Sequence, residues 1–286
     1  MENTLRLAVQ KSGRLSEGSM KLIKSCGISV SNGIGKLKAK AANFPVEFFF
    51  LRDDDIPGYV ADGIADIGIV GENVIVEKQK PVDTAHRLGF SKCRLSIAIE
   101  KAAQYNGPQD LQGMRIATSY PNLLGKFLDE NDIKAEVHEI SGSVEIAPSI
   151  GLAKAVCDIV SSGSTLFTNG LKEVETIFNS EAVLIANKAL SEGKKKVLEQ
   201  LLFRIKSLQQ AKNNKYILLN APEKNIDAII EQLPGMRSPT VLPLAQKGWV
   251  SVHSVINEND FWAKIEDLKA AGAEGILVVP IEKMIL

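Results

Sequence analysis

The sequence predicts an α/β protein built on parallel or mixed sheets and closed by a small βαββαβ module. Three observations carry this. Short apolar runs alternate with segments of helical spacing over roughly the first 210 residues, the pattern of strands linked by helices. Near Ala211–Lys215 the texture changes, and two strands then follow one another with no helix between them. The chain's 286 residues, 45% hydrophobic and 24% charged, suffice for about two domains with a sizeable core in each.

Residues 5–9 read as a buried strand and residues 11–14 as a turn. Residues 16–26 have helical spacing, with Ser16 as a candidate N-cap. Residues 47–51 form a Phe-rich strand. Asp53, Asp54 and Asp55 then open a helix over 58–63, acids lying where the helix dipole favours them. Residues 65–71 are a further strand, ending in Gly71-Glu72-Asn73. A second unit starts near Arg94 and repeats this logic: strands at 94–99, 115–117 and 137–140, with a helix at 122–130. Residues 182–185 read as a strand and 192–206 as a charged connecting helix. The last part has strands at 216–220, 240–244, 249–255 and 275–280, with helices at 224–232 and 258–271 and a turn at 233–236. That is the ferredoxin-like order. The expected boundaries are a first domain over 1–93, completed by about 182–206, a second over 94–181, and a third over 211–286.

Lys plus Arg and Asp plus Glu both number 34, so the formal net charge is zero. Nothing shows the clustered basic excess of a nucleic-acid surface. No run approaches the roughly 18 apolar residues of a membrane span, and the first residues lack a signal-peptide core. Cys26, Cys93, Cys157, His86, His138 and His253 are scattered without metal-binding spacing, which predicts no dedicated zinc site and a reducing, cytoplasmic setting.

The most informative stretch is Val156–Val160 with the loop behind it. A buried apolar run carries one acid, Asp158, and opens into Ser161-Ser162-Gly163-Ser164-Thr165. An ionised carboxylate is expensive to bury, so Asp158 is expected at the strand's end, facing a cleft. The loop can form an anion nest of N–H groups and hydroxyls. An acid beside a phosphate cradle suits a phosphorylated sugar; the alternative is an ordinary Ser/Gly turn. Lys11, Gly13 and Arg14 put two cations around a glycine at another strand end, suited to pyrophosphate or, alternatively, to a solvated turn. Arg52 is a further strand-end cation, or else pairs with Asp53–Asp55. Asp66 and the loop Gly71-Glu72-Asn73 flank a strand in which Gly68 admits a flat ring or relieves helix packing. Tyr120, near a helix start, can stack on a base or be half buried.

Four segments, residues 5–28, 53–74, 141–171 and 233–244, resemble in order the signatures of the long form of ATP phosphoribosyltransferase, and the resemblance covers nearly the whole chain. It implies two catalytic domains of the type II periplasmic-binding-protein kind, a cleft between them, and an ACT-like C-terminal regulatory domain. The implied reaction condenses ATP with 5-phosphoribosyl 1-pyrophosphate (PRPP), opening histidine biosynthesis. By position, Glu145, Asp158, Ser161, Ser162, Gly163, Ser164 and Thr165 would hold PRPP. Lys11, Gly13, Arg14, Arg52, Asp66, Gly71, Glu72 and Tyr120 would serve pyrophosphate and ATP. Ser238, Pro239, Thr240, Gly272 and Ala273 would take L-histidine as inhibitor, between modules of neighbouring subunits. The resemblance further implies Mg²⁺ carried by the substrates, a homo-oligomer (dimer or hexamer), and neither nucleic acid nor membrane as partner. Lys154 departs from the family's usual acid, with a surface effect expected. The other class of function left open is a non-catalytic PRPP- or amino-acid-binding regulatory paralogue.

Overall fold

The computed structural model describes residues 3–30, 37–233 and 235–286. Pro234, part of the expected turn, lies outside them, as do Met1 and Glu2. The chain divides into two compact units, Met1–Glu199 and Gln200–Leu286.

The first unit starts with β1 (Leu5–Gln10), α1 (Arg14–Ser25), β2 (Lys38–Lys40), β3 (Val46–Leu51), α2 (Ile56–Ala61), β4 (Ile67–Gly71), α3 (Glu72–Lys78) and β5 (Asp83–Arg87). It continues with β6 (Cys93–Glu100), β7 (Arg115–Thr118), α4 (Pro121–Glu130), β8 (Glu136–Glu139), β9 (Ala155–Val160), α5 (Ser164–Thr168) and β10 (Leu171–Ser180). Then β11 (Ala182–Ala186) leads into α6 (Glu192–Lys212), which runs on into the second unit. Two sheets result, in the orders β2-β3-β1-β4-β11-β5 and β10-β6-β9-β7-β8.

Apart from the edge strand β2, both sheets are laid out alike. Each has three parallel strands, β3-β1-β4 in one lobe and β8-β7-β9 in the other. Beside them lies an antiparallel strand that the chain brings across from the opposite lobe, β11 or β6. A last strand, β5 or β10, closes each sheet. The chain therefore crosses between lobes twice, between Arg87 and Cys93 and between Ser180 and Ala182. This is the two-lobed arrangement of the type II periplasmic binding proteins. The central strands are covered on both faces: Leu5, Leu7, Ala8 and Val9 are all buried. That is why β1, apart from Arg6, reads as an apolar run instead of an alternation.

Two local expectations are corrected. The N-cap of α1 is Gly13, not Ser16, which is buried inside the helix. A Cβ on Gly68 would lie 2.6 Å from Ile56 Cγ2 and 3.1 Å from Val60 Cγ2, so this glycine lets α2 pack on β4 and does not admit a ring.

The second unit contains β12 (Asn214–Pro222), α7 (Ile226–Gln232), β13 (Thr240–Pro243), β14 (Trp249–Asn257), α8 (Glu258–Ala270) and β15 (Glu274–Pro280). Its antiparallel sheet has the order β13-β14-β12-β15. Ile217, Leu219, Val250 and Val252 pack with Ile229 of α7 and with Phe261 and Leu268 of α8 as one core. This is the ferredoxin-like, ACT-type module.

Candidate functional site

Parallel strands present their C-terminal ends together, and loops there gather ligands. In the first lobe Gln10 is level with Leu51, and the Lys11 N–H donates to the Leu51 carbonyl at 2.8 Å. Lys11 and Arg52 thus leave adjacent strand ends side by side. Gly13 and Arg14 follow directly, and Lys11, Arg14 and Arg52 are all exposed. Among the described residues no ion pair joins Arg52 to Asp53–Asp55; Asp54 instead faces Lys78 at 3.9 Å.

In the second lobe β9 is central, between β6 and β7. Asp158 is its fourth residue, two short of the end, and is partly buried. Its Oδ1 accepts the Ile159 N–H at 2.8 Å. Burial pushes the Asp158 carboxyl above the usual carboxylate range, the Ile159 hydrogen bond pulls it back, and the charge of Glu145 pushes it up again. After Val160 the chain turns through Ser161 and Ser162. Gly163 sits at φ +78°, a left-handed conformation that side chains resist, and caps α5. Ser162 and Ser164 join hydroxyls at 2.9 Å, and Thr165 is exposed on the first turn.

The lobes meet across this region. Arg14 Nη1 donates to Ser161 Oγ at 3.0 Å, linking the cationic loop to the hydroxyl loop. Tyr120 Oη accepts from Asn73 Nδ2 at 3.1 Å. Burial raises the Tyr120 phenol strongly, and the charges of Asp158, Asp53 and Asp54 add to it. A cavity of about 360 Å³ lies between, lined among others by Gln10, Arg14, Asp53, Gly71, Tyr120 and Ser161. Gln10 and Asp53 are given no site role by the sequence, and Asn73 is noted there only as the end of the Gly71-Glu72-Asn73 loop. Gln10 ends an apolar strand, and Asp53 looked like one acid of a helix start, so neither stood out. Asn73 at the Gly71 strand end was the one signal available.

Of the expected residues, Arg14, Gly71, Tyr120 and Ser161 line this cavity, and two of the others, Asp66 and Glu72, are engaged elsewhere. Asp66 precedes β4, level with Arg6, at the opposite end of the strand from Gly71. They are five residue steps apart along the strand, roughly 16 Å. Asp66 is buried and holds Arg6 and Lys194, each at 2.8 Å. These partners bring its carboxyl below the ordinary range although burial opposes them. Such an acid holds the lobe together and is not free for a nucleotide. Glu72 ion-pairs with Arg87, which also meets Glu181 at 3.2 Å. Lys154 is exposed and upstream of the hydroxyl loop.

In the second unit Thr240 is level with His253, Leu218 and Leu277 across the sheet. Ser238 and Pro239 precede β13 on one edge, whereas Gly272 and Ala273 precede β15 on the other. Three strand spacings, about 14 Å, separate the edges. One module alone does not bring these five residues together.

A family model described as ATP phosphoribosyltransferase matches residues 52–207. Another, described as HisG, C-terminal domain, matches residues 211–283. An ATP phosphoribosyltransferase of Cytophaga hutchinsonii is 64% identical over 285 residues, covering 100% of both chains. One of Phocaeicola vulgatus is 57% identical over 282 residues, 99% of this chain and 100% of that one. Among solved structures, the ATP phosphoribosyl transferase (HisG:HisZ) complex from Thermotoga maritima is similar, at 28% identity and TM-score 0.60 over 71% of this chain and 99% of that chain. Tv2483 bound to L-arginine, 12% identical, shares the fold with TM-score 0.50 over 74% of this chain and 87% of that one.

Proposed function

Because the chain belongs to the ATP phosphoribosyltransferase family, we propose that the cleft between its two lobes is where ATP and PRPP are joined. The enzyme makes 1-(5-phosphoribosyl)-ATP and pyrophosphate, the first step of L-histidine biosynthesis. Adenine N1 attacks C1 of PRPP, the new N–C bond forms as the C–O bond to pyrophosphate breaks, and the transition state is oxocarbenium-like, as in glycosyl transfer generally. No protein nucleophile is required. Alignment of two anions and neutralisation of the departing one supply the acceleration.

The observation that carries this reading is the 3.0 Å contact of Arg14 with Ser161 across the cavity. It puts the cationic strand end of one lobe against the hydroxyl loop of the other. Ser161, Ser162, Gly163, Ser164 and Thr165 take the 5′-phosphate, and Asp158, assisted by Glu145, accepts from ribose hydroxyls. Lys11, Arg14 and Arg52 face pyrophosphate, and Gly71 and Tyr120 border the ATP side. Mg²⁺ would supply charge neutralisation on pyrophosphate. The hard oxygens of Asp158 and Glu145 suit it, and no group of three or more His, Cys, Asp or Glu that could hold a metal occurs among the described residues. Substrate oxygens would therefore complete its shell.

L-Histidine is the proposed inhibitor, bound where Ser238–Thr240 of one module meets Gly272 and Ala273 of another, within a homo-oligomer. The separation of these residues on opposite sheet edges supports a site shared between copies. The cytoplasm is the proposed setting; no helix among the described residues is long and apolar enough to cross a membrane. The test is formation of phosphoribosyl-ATP from ATP, PRPP and Mg²⁺, with and without histidine. Product formation is expected, and histidine should suppress it. Thr240→Ala should raise the histidine concentration needed. No product would leave the regulatory-paralogue reading.

A further inference from the structure

The first turn of α4 is capped from the other lobe. Pro121, at its first position, has no N–H to satisfy. The N–H groups of Asn122 and Leu123 donate to Glu77 Oε1 and Oε2, each at 2.9 Å. The Leu124 N–H donates to the Tyr120 carbonyl at 3.0 Å. Every donor of this helix end is thus accounted for, although the N-cap residue, Tyr120, makes no side-chain cap. Asn122 Nδ2 also donates to the Glu77 carbonyl at 2.9 Å. Glu77 is on α3 of the first lobe and is only 4% exposed.

A second connection lies one turn back on α3. Asn73 is four residues before Glu77, on the same helix face, and is 6% exposed. Its N–H donates to Ser180 Oγ at 3.1 Å, and Ser180 Oγ donates to Asn73 Oδ1 at 2.8 Å. Its Nδ2 holds Tyr120 Oη. Ser180 ends β10, at the chain's second crossing between lobes. One face of α3 therefore grips the start of α4, the side chain of Tyr120 and a crossing strand. A carboxylate at a helix N-terminus is favoured by the helix dipole, but this one can reach its donors only while the lobes keep their present separation.

We infer that Glu77 and Asn73 are positioning residues for phosphoribosyl transfer. They latch the first lobe to the second and fix the gap across which Arg14 faces Ser161. Glu77 lies outside the cavity lining and Asn73 borders it; in this role both act through Tyr120 and the placement of the lobes. The inference rests on the cleft reading given above. Opening the latch misaligns groups on opposite lobes and leaves the hydroxyl loop, built wholly within the second lobe, as it was.

The test uses full-length Glu77→Ala, Glu77→Gln and Asn73→Ala. Turnover, PRPP affinity by calorimetry and amide hydrogen exchange at Asn122 and Leu123 are measured. Glu77→Ala should lower kcat by on the order of 10- to 100-fold, with PRPP affinity changed by no more than about threefold, because displacements of about 1 Å suffice for such losses. Its Asn122 and Leu123 amides should exchange faster. Glu77→Gln keeps one acceptor oxygen and should fall between wild type and Glu77→Ala. Asn73→Ala, which leaves the cap in place, should lower kcat without speeding exchange at Leu123, and it carries the test if Glu77→Ala does not fold. Wild-type kcat in these variants overturns the latch. So does a proportional loss of kcat and PRPP affinity, which would mean general damage to the second lobe. A wild-type protein that forms no phosphoribosyl-ATP would instead overturn the cleft reading itself.

Discussion

Apart from the edge strand β2, the two lobes of the first unit share one strand order, and they carry opposite chemistry at the C-terminal ends of their parallel strands. In the first lobe, Lys11, Arg14 and Arg52 leave β1 and β3 as exposed cations. In the second, β9 bears Asp158 beside Glu145 and then releases a loop of hydroxyls and N–H groups. Topology fixed where the loops meet, and residue choice in each loop assigned the chemistry. Two neighbouring carboxylates repel a phosphate, so the acids suit sugar hydroxyls and the loop after them suits the phosphate. The cations opposite suit the group whose negative charge grows as it leaves.

The sharpest way to break this division of labour is to neutralise the first lobe. Arg14→Ala should lower kcat by about 10²- to 10³-fold, the usual effect of removing one donor to charge that develops in the transition state. ATP affinity should change far less, because the benefit is realised mainly as pyrophosphate departs. Lys11→Ala should behave likewise. Steady-state kinetics decide it, and wild-type turnover in both variants would return this loop to a solvated turn.

Altering the second lobe should damage binding instead of turnover. Thr165→Ala removes a hydroxyl from the loop, and losing one hydrogen bond to a charged group costs about 1.5–3 kcal/mol of PRPP affinity. Gly163→Val should weaken PRPP at least as much, because Val resists the φ of +78° that shapes the nest. Calorimetric titration with PRPP measures both. Unchanged affinity would remove the phosphate from this loop. At saturating PRPP, kcat of Thr165→Ala should stay near wild type, the opposite of Arg14→Ala.

The contrast between lobes was partly legible in the sequence. The buried runs of β1, β4, β6, β9 and β11 stood out because strands covered on both faces lose polar alternation. The loop after β9 stood out because hydroxyls and glycine collect there directly behind a buried acid. β10 did not, since Lys172, Glu173 and Glu175 interrupt it and two register shifts break its period of two. Asp66 misled for a different reason. The sequence reading puts it inside a strand over 65–71, whereas β4 starts only at Ile67, so Asp66 lies at the strand's N-terminal end, away from the cleft, where Arg6 and Lys194 hold it. Glu77 was silent in the sequence because its partners, the N–H groups of Asn122 and Leu123, are 45 and 46 residues away.

The smallest expected effect concerns pH, and it separates the two acids of the second lobe. The Asp158 carboxyl is raised, first by burial and also by Glu145, against the pull of the Ile159 N–H. Between the ordinary carboxylate pKa and this raised value, the folded protein keeps a proton that the unfolded chain has shed. Stability from this group therefore falls as pH rises through that window, and the penalty is absent below it. Binding runs the other way: ribose hydroxyls need the ionised form as acceptor, so PRPP affinity should fall as pH drops through the raised pKa. Glu145→Gln removes one of the charges that raise it. The acid limb of PRPP affinity should then move to lower pH while staying above the ordinary carboxylate range, because burial, the larger cause, remains. Titration of the PRPP phosphates is common to both proteins and drops out of the difference. A direct contact of Glu145 with ribose would lower affinity at every pH without moving the midpoint, so calorimetry across the acid range distinguishes the two roles. Superimposed midpoints with unchanged affinity would show that Asp158 titrates without sensing its neighbour, and the second lobe would then hold one working acid instead of a coupled pair.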